Sequence, residues 1–521
     1  LSAAQTQASF RTQLILHSGS FVRSLFDRTK SFPFQEMMNM LFACETTMDA
    51  FDNTLRLAFE AHNRGQHAEA EALCRKLLPE GRPDARLYFL LGMILHRLGR
   101  DAEAIEPLRH AAGLTPGDAA IFNGLGCVFH GLKDYPRAVQ NFQQAIALKP
   151  GQADLYYSLG NACFPLGEIE AAANAFRRSV ELNPQDAQSW NNLGKTMKEL
   201  NRLEESRAAY EHALAIQPDY VLAHYGYALS LLASGNLPDG FREYEWRPQR
   251  MPREFPQPKW RGEPLAGRTL FLHAEQGFGD AILAVRYLPQ LRERGARVIL
   301  ECRPELKSLF TFSKCADVVI AYGEPIPPFD CWTSLISVAG LLGVTLETIP
   351  NYVPYLAAPP GEKLPGRNPN IGLVWAGNPG HNDDAQRSLH LAELAPVFQT
   401  PGKDFYSLQV PVPERDQPLL ASSPNLVNLG RDFKDFLDTA AAITELDLVI
   451  AVDTAVAHLA GALGKPVWLL LQHSPDWRWF LQCGEKTPWY PATRLFRQAH
   501  RGQWAPVVTK VAEALRQFPA S

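Results

Sequence analysis

The chain has 521 residues, of which 46% are hydrophobic and 20% charged, with a formal net charge of -4; this is an ordinary globular composition of a length that allows about three or four domains. The near-neutral charge offers no bulk attraction to nucleic acid or anionic lipid, so neither is expected as a partner. The eight cysteines are scattered, with no Cys-x-x-Cys pair or metal-ligand spacing, so a reduced, cytoplasmic setting fits best, and no apolar run nears the ~20 residues of a spanning helix.

Residues 1–47 precede the first recognisable pattern and read as an upstream extension or an appended segment, with no function assigned. From about residue 51 a period of 34 governs the chain. Gly92, Gly126, Gly160 and Gly194 keep it, as do Pro116, Pro150, Pro184 and Pro218, and Ala70, Ala104, Ala138 and Ala172. Each unit predicts a first helix carrying Leu-Gly, a turn near Gly or Asn (Gly65, Gly99, Gly167, Asn201, Gly235), and a second helix ended by proline. Small residues let the paired helices approach. The pattern resembles the tetratricopeptide repeat, with five full units over 51–220 and a sixth, partial one to about 245, giving a helical solenoid over 48–245. In that frame Asn123, Tyr157 and Asn191 fall on the concave wall, with Asn161 one turn further on. Such a row either hydrogen-bonds an extended peptide or is a solvated polar face.

Residues 246–267 form a proline-rich connector with Pro248, Pro252, Pro256, Pro258 and Pro264, and Trp246 and Trp260 suggest that it packs on a neighbour. Beyond it the period changes to alternating strands and helices. Thr269–His273, 296–301 and 317–321 read as parallel strands of one half (268–350). A second proline-rich stretch (351–369) precedes another half (370–521), with strands at 371–375, 405–409, 426–429, 448–452, 467–471 and 493–496. This alternation predicts two doubly wound, Rossmann-like sheets with ligands at the carboxyl ends of strands, and a cleft between halves is the expected active-site position.

Three loops carry candidate chemistry. The first is Glu275-Gln-Gly277-Phe-Gly279-Asp280, whose glycines let backbone approach a ligand. Asp280 is either a helix N-cap or a general base aimed into the cleft. The second starts at a strand end and runs Trp375-Ala-Gly377-Asn-Pro-Gly-His381 to Arg387-Ser388. Arg387 suits a phosphate through its planar fork and Ser388 adds a hydroxyl, or the loop is merely solvated and Ser388 a cap. His381 is a second base, a phosphate contact or neither. The third is Asp453-Thr454-Ala455, between a buried run and the helix that holds His458. Free N–H groups and the helix dipole make this an anion site; otherwise Asp453 is an N-cap and His458 a packed histidine. Trp375 and Gln409, at strand ends, join the donor-side list. Asp476-Trp-Arg-Trp-Phe480 and Trp489-Tyr-Pro491 either line a sugar or base pocket or pack between halves.

Gly279-Asp280 and Asp453-Thr454-x-x-x-His458-x-Ala460 together resemble the bacterial heptosyltransferases (glycosyltransferase family nine), of the GT-B fold. The resemblance implies that Asp280 is the catalytic base and that Asp453, Thr454 and Ala455 lie at the donor diphosphate. Ala455 departs from the glycine usual there, and Arg387 matches only loosely. Repeats followed by this domain are similar in plan to O-linked N-acetylglucosamine transferase and to bacterial flagellin glycosyltransferases. The implied activity is metal-independent, inverting transfer from a nucleotide sugar, with no separate cofactor, to a Ser or Thr hydroxyl of a protein held by the repeats. Alternatives are an interaction scaffold with a silent GT-B domain, and a transferase for a saccharide or lipid-linked acceptor.

Overall fold

The structure, a computed structural model, describes residues 49–248, 253–365, 368–381 and 383–518. The segment 1–47 and Pro252 of the connector lie outside the described residues. The expected repeats are present as helix pairs: α1 (Ala50–Asn63) with α2 (His67–Leu77), α3 (Ala85–Arg97) with α4 (Asp101–Leu114), α5 (Ala119–Gly131) with α6 (Tyr135–Leu148), and α7 (Ala153–Leu166) with α8 (Ile169–Leu182). Two further pairs follow, α9 (Ala187–Glu199) with α10 (Leu203–Ile216) and α11 (Val221–Ala233) with the short α12 (Leu237–Tyr244).

The period has a mechanical basis in each pair. A Cβ on Gly92 would stand 2.5 Å from Leu108, one on Gly126 2.5 Å from Phe142, and one on Gly160 2.7 Å from Phe176. The large partner always lies sixteen residues on, so glycine is what lets it cross its own pair. The turns at Gly65, Gly99, Lys133, Gly167, Asn201 and Gly235 all have positive φ. Lys133, which sequence reading did not place, adopts this conformation without being glycine. Asp84, Asp118 and Asp186 each accept the backbone N–H two residues ahead and so cap first helices, each worth about 1 kcal/mol.

The α/β part holds two parallel sheets. The first contains β1 (Thr269–His273), β2 (Arg297–Cys302), β3 (Val318–Ala321) and β4 (Cys331–Ser334), in the order β3-β2-β1-β4. Helix α13 (Phe278–Ala284) follows β1 and α14 (Pro304–Phe312) follows β2. The second sheet contains β5 (Asn370–Val374), β6 (Asp404–Ser407), β7 (Leu426–Asn428), β8 (Leu448–Val452), β9 (Val467–Leu471) and β10 (Thr493–Arg497), ordered β10-β9-β8-β5-β6-β7. Its helices include α15 (Asp384–Arg387), α16 (Phe436–Thr444), α17 (Ala455–Ala462) and α18 (Ala505–Arg516). The expectation of parallel sheets with helices, an α/β arrangement, therefore holds, and β4 is a strand the sequence reading did not anticipate. No helix among the described residues is long and apolar enough to cross a membrane.

Side chains alternate across the sheets as period two demands. Val449 and Ala451 face a core shared with Leu270 and Leu272 of the first sheet, whereas Leu448, Ile450 and Val452 face a second core against α18. The shared core also takes in Ala228, Leu232, Leu237, Phe241 and Tyr244 of the last helix pair.

The chain divides into two compact units at Pro184/Gln185. This differs from the expected boundary near 245: the last two helix pairs belong with the α/β part. Asn201 donates to the His473 carbonyl (2.7 Å), Ser474 to that of Lys198 (3.3 Å) and Gln482 to that of Ser234 (2.8 Å). In the connector, Trp260 is buried and Trp246 stacks on His224 at 4.1 Å, as their type suggested. Arg247 is fully covered and binds Glu275, Ser334 and Ser337.

Candidate functional site

Each sheet contains one reversal of strand order. The chain leaves β1 toward β2 and β3 and returns on its other side to β4; it leaves β5 toward β6 and β7 and returns to β8. Loops diverge at such points and leave a crevice at the carboxyl ends. The loops after β1, β5 and β8 are the three singled out from sequence.

Gly277 is the N-cap of α13, and Asp280 is its third residue. Asp280 Oδ2 accepts the Gly277 N–H at 2.8 Å. Asp280 is thus the reaching-back partner of a cap, not the N-cap itself. Its other oxygen is bound by Arg478 Nη2. Gly279 faces the second half: a Cβ there would stand 2.9 Å from the His458 ring and 3.6 Å from Ala455 Cα. The two motifs of the family resemblance therefore touch, and a glycine at Gly279 is what permits it.

Arg478 lies in the 3-10 turn Trp477–Trp479 after β9. Its Nη1 binds Asp476 Oδ1 at 2.7 Å, and its guanidinium sits 4.3 Å over the Trp477 ring. Trp477 in turn meets Phe241 and Tyr244 of α12 edge-on, at 5.8 and 6.2 Å. Burial alone would raise the Asp476 carboxyl, but Arg478 holds it below the usual carboxylate range. Asp453, half-buried at the end of β8, is pushed up to about 6 by burial and then by Asp476, with Arg387, the Trp479 indole N–H and Arg478 opposing. Asp280, Arg478, Asp476, Asp453 and Arg387 thus form one interacting chain of charges drawn from both halves.

Thr454, not Asp453, is the N-cap of α17, and its buried hydroxyl has no hydrogen-bond partner among the described residues. The N–H groups of Ala455 and Val456 open the helix, where no carbonyl of the helix can reach them. A hydroxyl and two amides therefore stand at a helix N-terminus, and Arg387 acts on the adjoining Asp453.

Several expected donor contacts are engaged elsewhere. Trp375 is completely buried, and its indole donates to Asp416 at 2.8 Å. Gln409 is buried: its Oε1 accepts the Trp375 and Ala376 N–H groups, and its Nε2 donates to the Ala376 and Pro411 carbonyls. Both brace the loop and neither presents a polar atom to a ligand. Ser388 accepts the Gly377 N–H and donates to Asp384, both at 2.9 Å, so its hydroxyl is spent on the loop. A Cβ on Gly377 would lie 2.6 Å from Arg387 Nη2, so glycine lets the loop close over that arginine. His458 is buried, bonded to the Tyr490 hydroxyl at 3.0 Å and stacked 5.0 Å from Trp479. Burial pushes it down to about 3, which makes it a neutral packing group. His381 Nδ1 accepts the Asp383 N–H at 3.2 Å.

The expected peptide row is not an open ladder. Tyr157 is buried with its ring edge-on to Phe176 at 6.1 Å, and Asn191 is buried with its amide on Asn192 at 3.1 Å. Three residues before the packing glycine, a side chain turns toward the helix pair. Asn123 and Asn161 remain half-buried.

Two arginines that hold the region together were missed from sequence. Arg478 was read only as part of an aromatic run, yet a charge among tryptophans is itself a signal, because a buried cation must be paired. Arg286, buried on α13's continuation, donates to the carbonyls of Pro350 (3.0 Å) and Trp489 (2.9 Å) and to the Tyr355 hydroxyl (3.1 Å). It ties the first half, the interdomain stretch and the C-terminal aromatic segment together.

Comparison with known proteins places the tetratricopeptide repeat firmly. Models described as TPR repeat match residues 128–166 and 160–201, and models described as tetratricopeptide repeat match 55–119 and 187–220. Protein FlbA of Caulobacter vibrioides is 32% identical over 342 residues, covering 58% of this chain and 56% of that protein. The chain thus spans about half the length of the curated relative it matches. Among solved structures, YrrB, a TPR protein with an unusual peptide-binding site, is 21% identical with a TM-score of 0.31, covering 33% of this chain and 89% of that one. MamA is 22% identical with a TM-score of 0.30, covering 33% and 97%.

Proposed function

We propose that this protein transfers a sugar from a nucleotide-sugar donor to a Ser or Thr hydroxyl of an acceptor protein, flagellin-like or other, recruited by its repeats. The observation that carries the reading is the meeting of Asp280 with the Arg478, Asp476, Asp453 and Arg387 charges at the carboxyl ends of two parallel sheets. In this scheme the donor diphosphate rests on the Thr454 hydroxyl and the Ala455 and Val456 amides, with Arg387 and the dipole of α17 offsetting its charge. Asp280 accepts the proton of the acceptor hydroxyl. That oxygen bonds to the anomeric carbon as the carbon–phosphate oxygen bond breaks, and the configuration inverts. Arg478, bound to its other oxygen, holds Asp280 in place.

Donor hydrolysis and transfer with a panel of nucleotide sugars test this. Asp280→Asn is expected to lower turnover about 100- to 10,000-fold while leaving donor affinity within a few-fold. Unchanged turnover in that variant removes Asp280 as the base.

The raised Asp453 carboxyl adds a pH dependence. It holds its proton up to about pH 6, so the site carries less negative charge below that value than above it. Affinity for a nucleoside diphosphate is expected to fall several-fold as pH rises from 5 to 7 in the wild type, relative to Asp453→Asn, which has no such group to ionise. Parallel pH profiles by calorimetry would discard Asp453 as the titrating group.

A second reading is favoured by one observation. Both oxygens of Asp280 are occupied, one by the Gly277 N–H and one by Arg478. A scaffold whose α/β part is catalytically silent would look the same. Failure of every nucleotide to bind selects that reading.

A further inference from the structure

We infer that a cavity at the carboxyl ends of β9 and β10, walled on one side by repeat helix α9, is a binding site for a neutral saccharide. Its volume is about 640 Å³, within the range of small-molecule sites. Gln472, Gln498, Arg501, Trp504, Asp384 and Glu199 line it. The last of these comes from α9, and the Asn201–His473 and Ser474–Lys198 hydrogen bonds hold that helix against the loop after β9.

Two residues of this wall, Gln498 and Gln472, each carry a buried amide atom with no partner among the described residues. Gln498 is 4% exposed; its Oε1 accepts the Gly502 N–H at 3.1 Å, which leaves its Nε2 donor unmade. Gln472 Nε2 donates to the Ser474 carbonyl at 2.8 Å, which leaves its Oε1 acceptor unmade. Native structures rarely leave such atoms orphaned. An orphan donor and an orphan acceptor on one wall call for a ligand that both accepts and donates, which a hydroxyl does.

The charges argue against an anion. Arg501 is tied to Glu199 at 3.3 Å, and Arg415 faces Asp416 at 3.7 Å. Asp384 and Glu393 add negative charge to the lining. Each arginine on the wall therefore faces a carboxylate, and a phosphate would have to displace one. Trp504 contributes an apolar flank suited to the C–H face of a sugar ring. The cavity adjoins the proposed donor site through Asp384, which bonds both Ser388 and Arg387. It is thus placed to hold the sugar of a donor; that assignment rests on the transfer reading, whereas saccharide binding does not.

Saturation-transfer NMR on the full chain with glucose, galactose, mannose, N-acetylglucosamine and N-acetylgalactosamine tests the site. At least one sugar is expected to show transfer, reduced fivefold or more in Gln498→Glu, which keeps the Gly502 bond and removes the free donor. Gln472→Met should reduce it likewise, and thermal melts check that both variants fold. The inference is overturned by transfer to no sugar, by transfer unchanged in both variants, or by displacement of the sugar by inorganic phosphate, which would mark an anion site. Uridine, cytidine, adenosine and guanosine diphosphates titrated in parallel report on the transfer reading alone. If none binds while the sugar signal persists, the transfer reading fails and the saccharide site stands.

Discussion

Arg478→Met is expected to destabilise the second unit by about 3–5 kcal/mol, the cost of removing one partner from a buried ion pair. Arg478 is buried between Asp280 and Asp476, on Nη2 and Nη1 respectively. Without it, the Asp280 and Asp476 carboxylates both lose the cation that joins them. Methionine fills much of the volume over Trp477, so the loss isolates charge from packing. Arg478→Lys should fall between, because one ammonium cannot bridge two carboxylates as a planar fork does. Urea unfolding followed by tryptophan fluorescence measures this, since Trp477 and Trp479 flank the site. The loss should shrink as pH drops and the carboxylates protonate. A methionine variant as stable as the wild type at pH 7 would show that the bridge contributes nothing net. The same variant should lose sugar transfer if Asp280 is the base, because the contact that holds its carboxylate in place is gone.

Truncation should separate the repeats unequally. A chain beginning at Gln185 is expected to unfold cooperatively, as a single transition, whereas one beginning at Trp246 is expected not to fold. Leu232, Leu237, Phe241 and Tyr244 are buried in the core that also contains both sheets. At about 1.5–3 kcal/mol for each large apolar side chain, losing these four approaches the whole 5–15 kcal/mol stability of a domain. The bonds to His473, Lys198 and Ser234 go with them, and Trp477 loses the rings that cover it. Circular dichroism melts and proton NMR dispersion of the two truncations decide the matter. A stable, native-like chain from Trp246 onward would restore the boundary at 245 that the repeat period suggests. The last two repeats are structural members of the α/β unit.

Much of this architecture is local in origin and therefore legible early. The glycine period needs only one helix pair to explain it, because a Cβ at Gly126 would run into Phe142 of the same repeat. Nine of the ten strands among the described residues fall on runs legible as strands, and most of those are buried along almost their whole length, as parallel strands covered on both faces are. The missed strand, Cys331–Ser334, is four residues long and half polar, and it pairs beside β1 only because the chain returns to that edge. Of the site, Asp453-Thr454 and Gly279-Asp280 stood out because strand-to-helix turns have a recognisable composition. Trp375 and Gln409 were misjudged for the same reason: a strand's carboxyl end serves the ligand with some side chains and braces its own loop with others. Composition does not tell these apart.

Repeat period, strand alternation and the positions of helix N-termini follow from interactions between near neighbours, and they are written in the order of residues. The charge bridge is not. Asp280 and Arg478 are separated by 198 positions, and their pairing depends on how two sheets and a terminal helix pair share one core. The same holds for Gln472 and Gln498, whose unmade hydrogen bonds exist only because folding buried them on one wall. Desolvation decides which polar groups must be paired and which are left for a ligand, and burial is a property of the assembled fold.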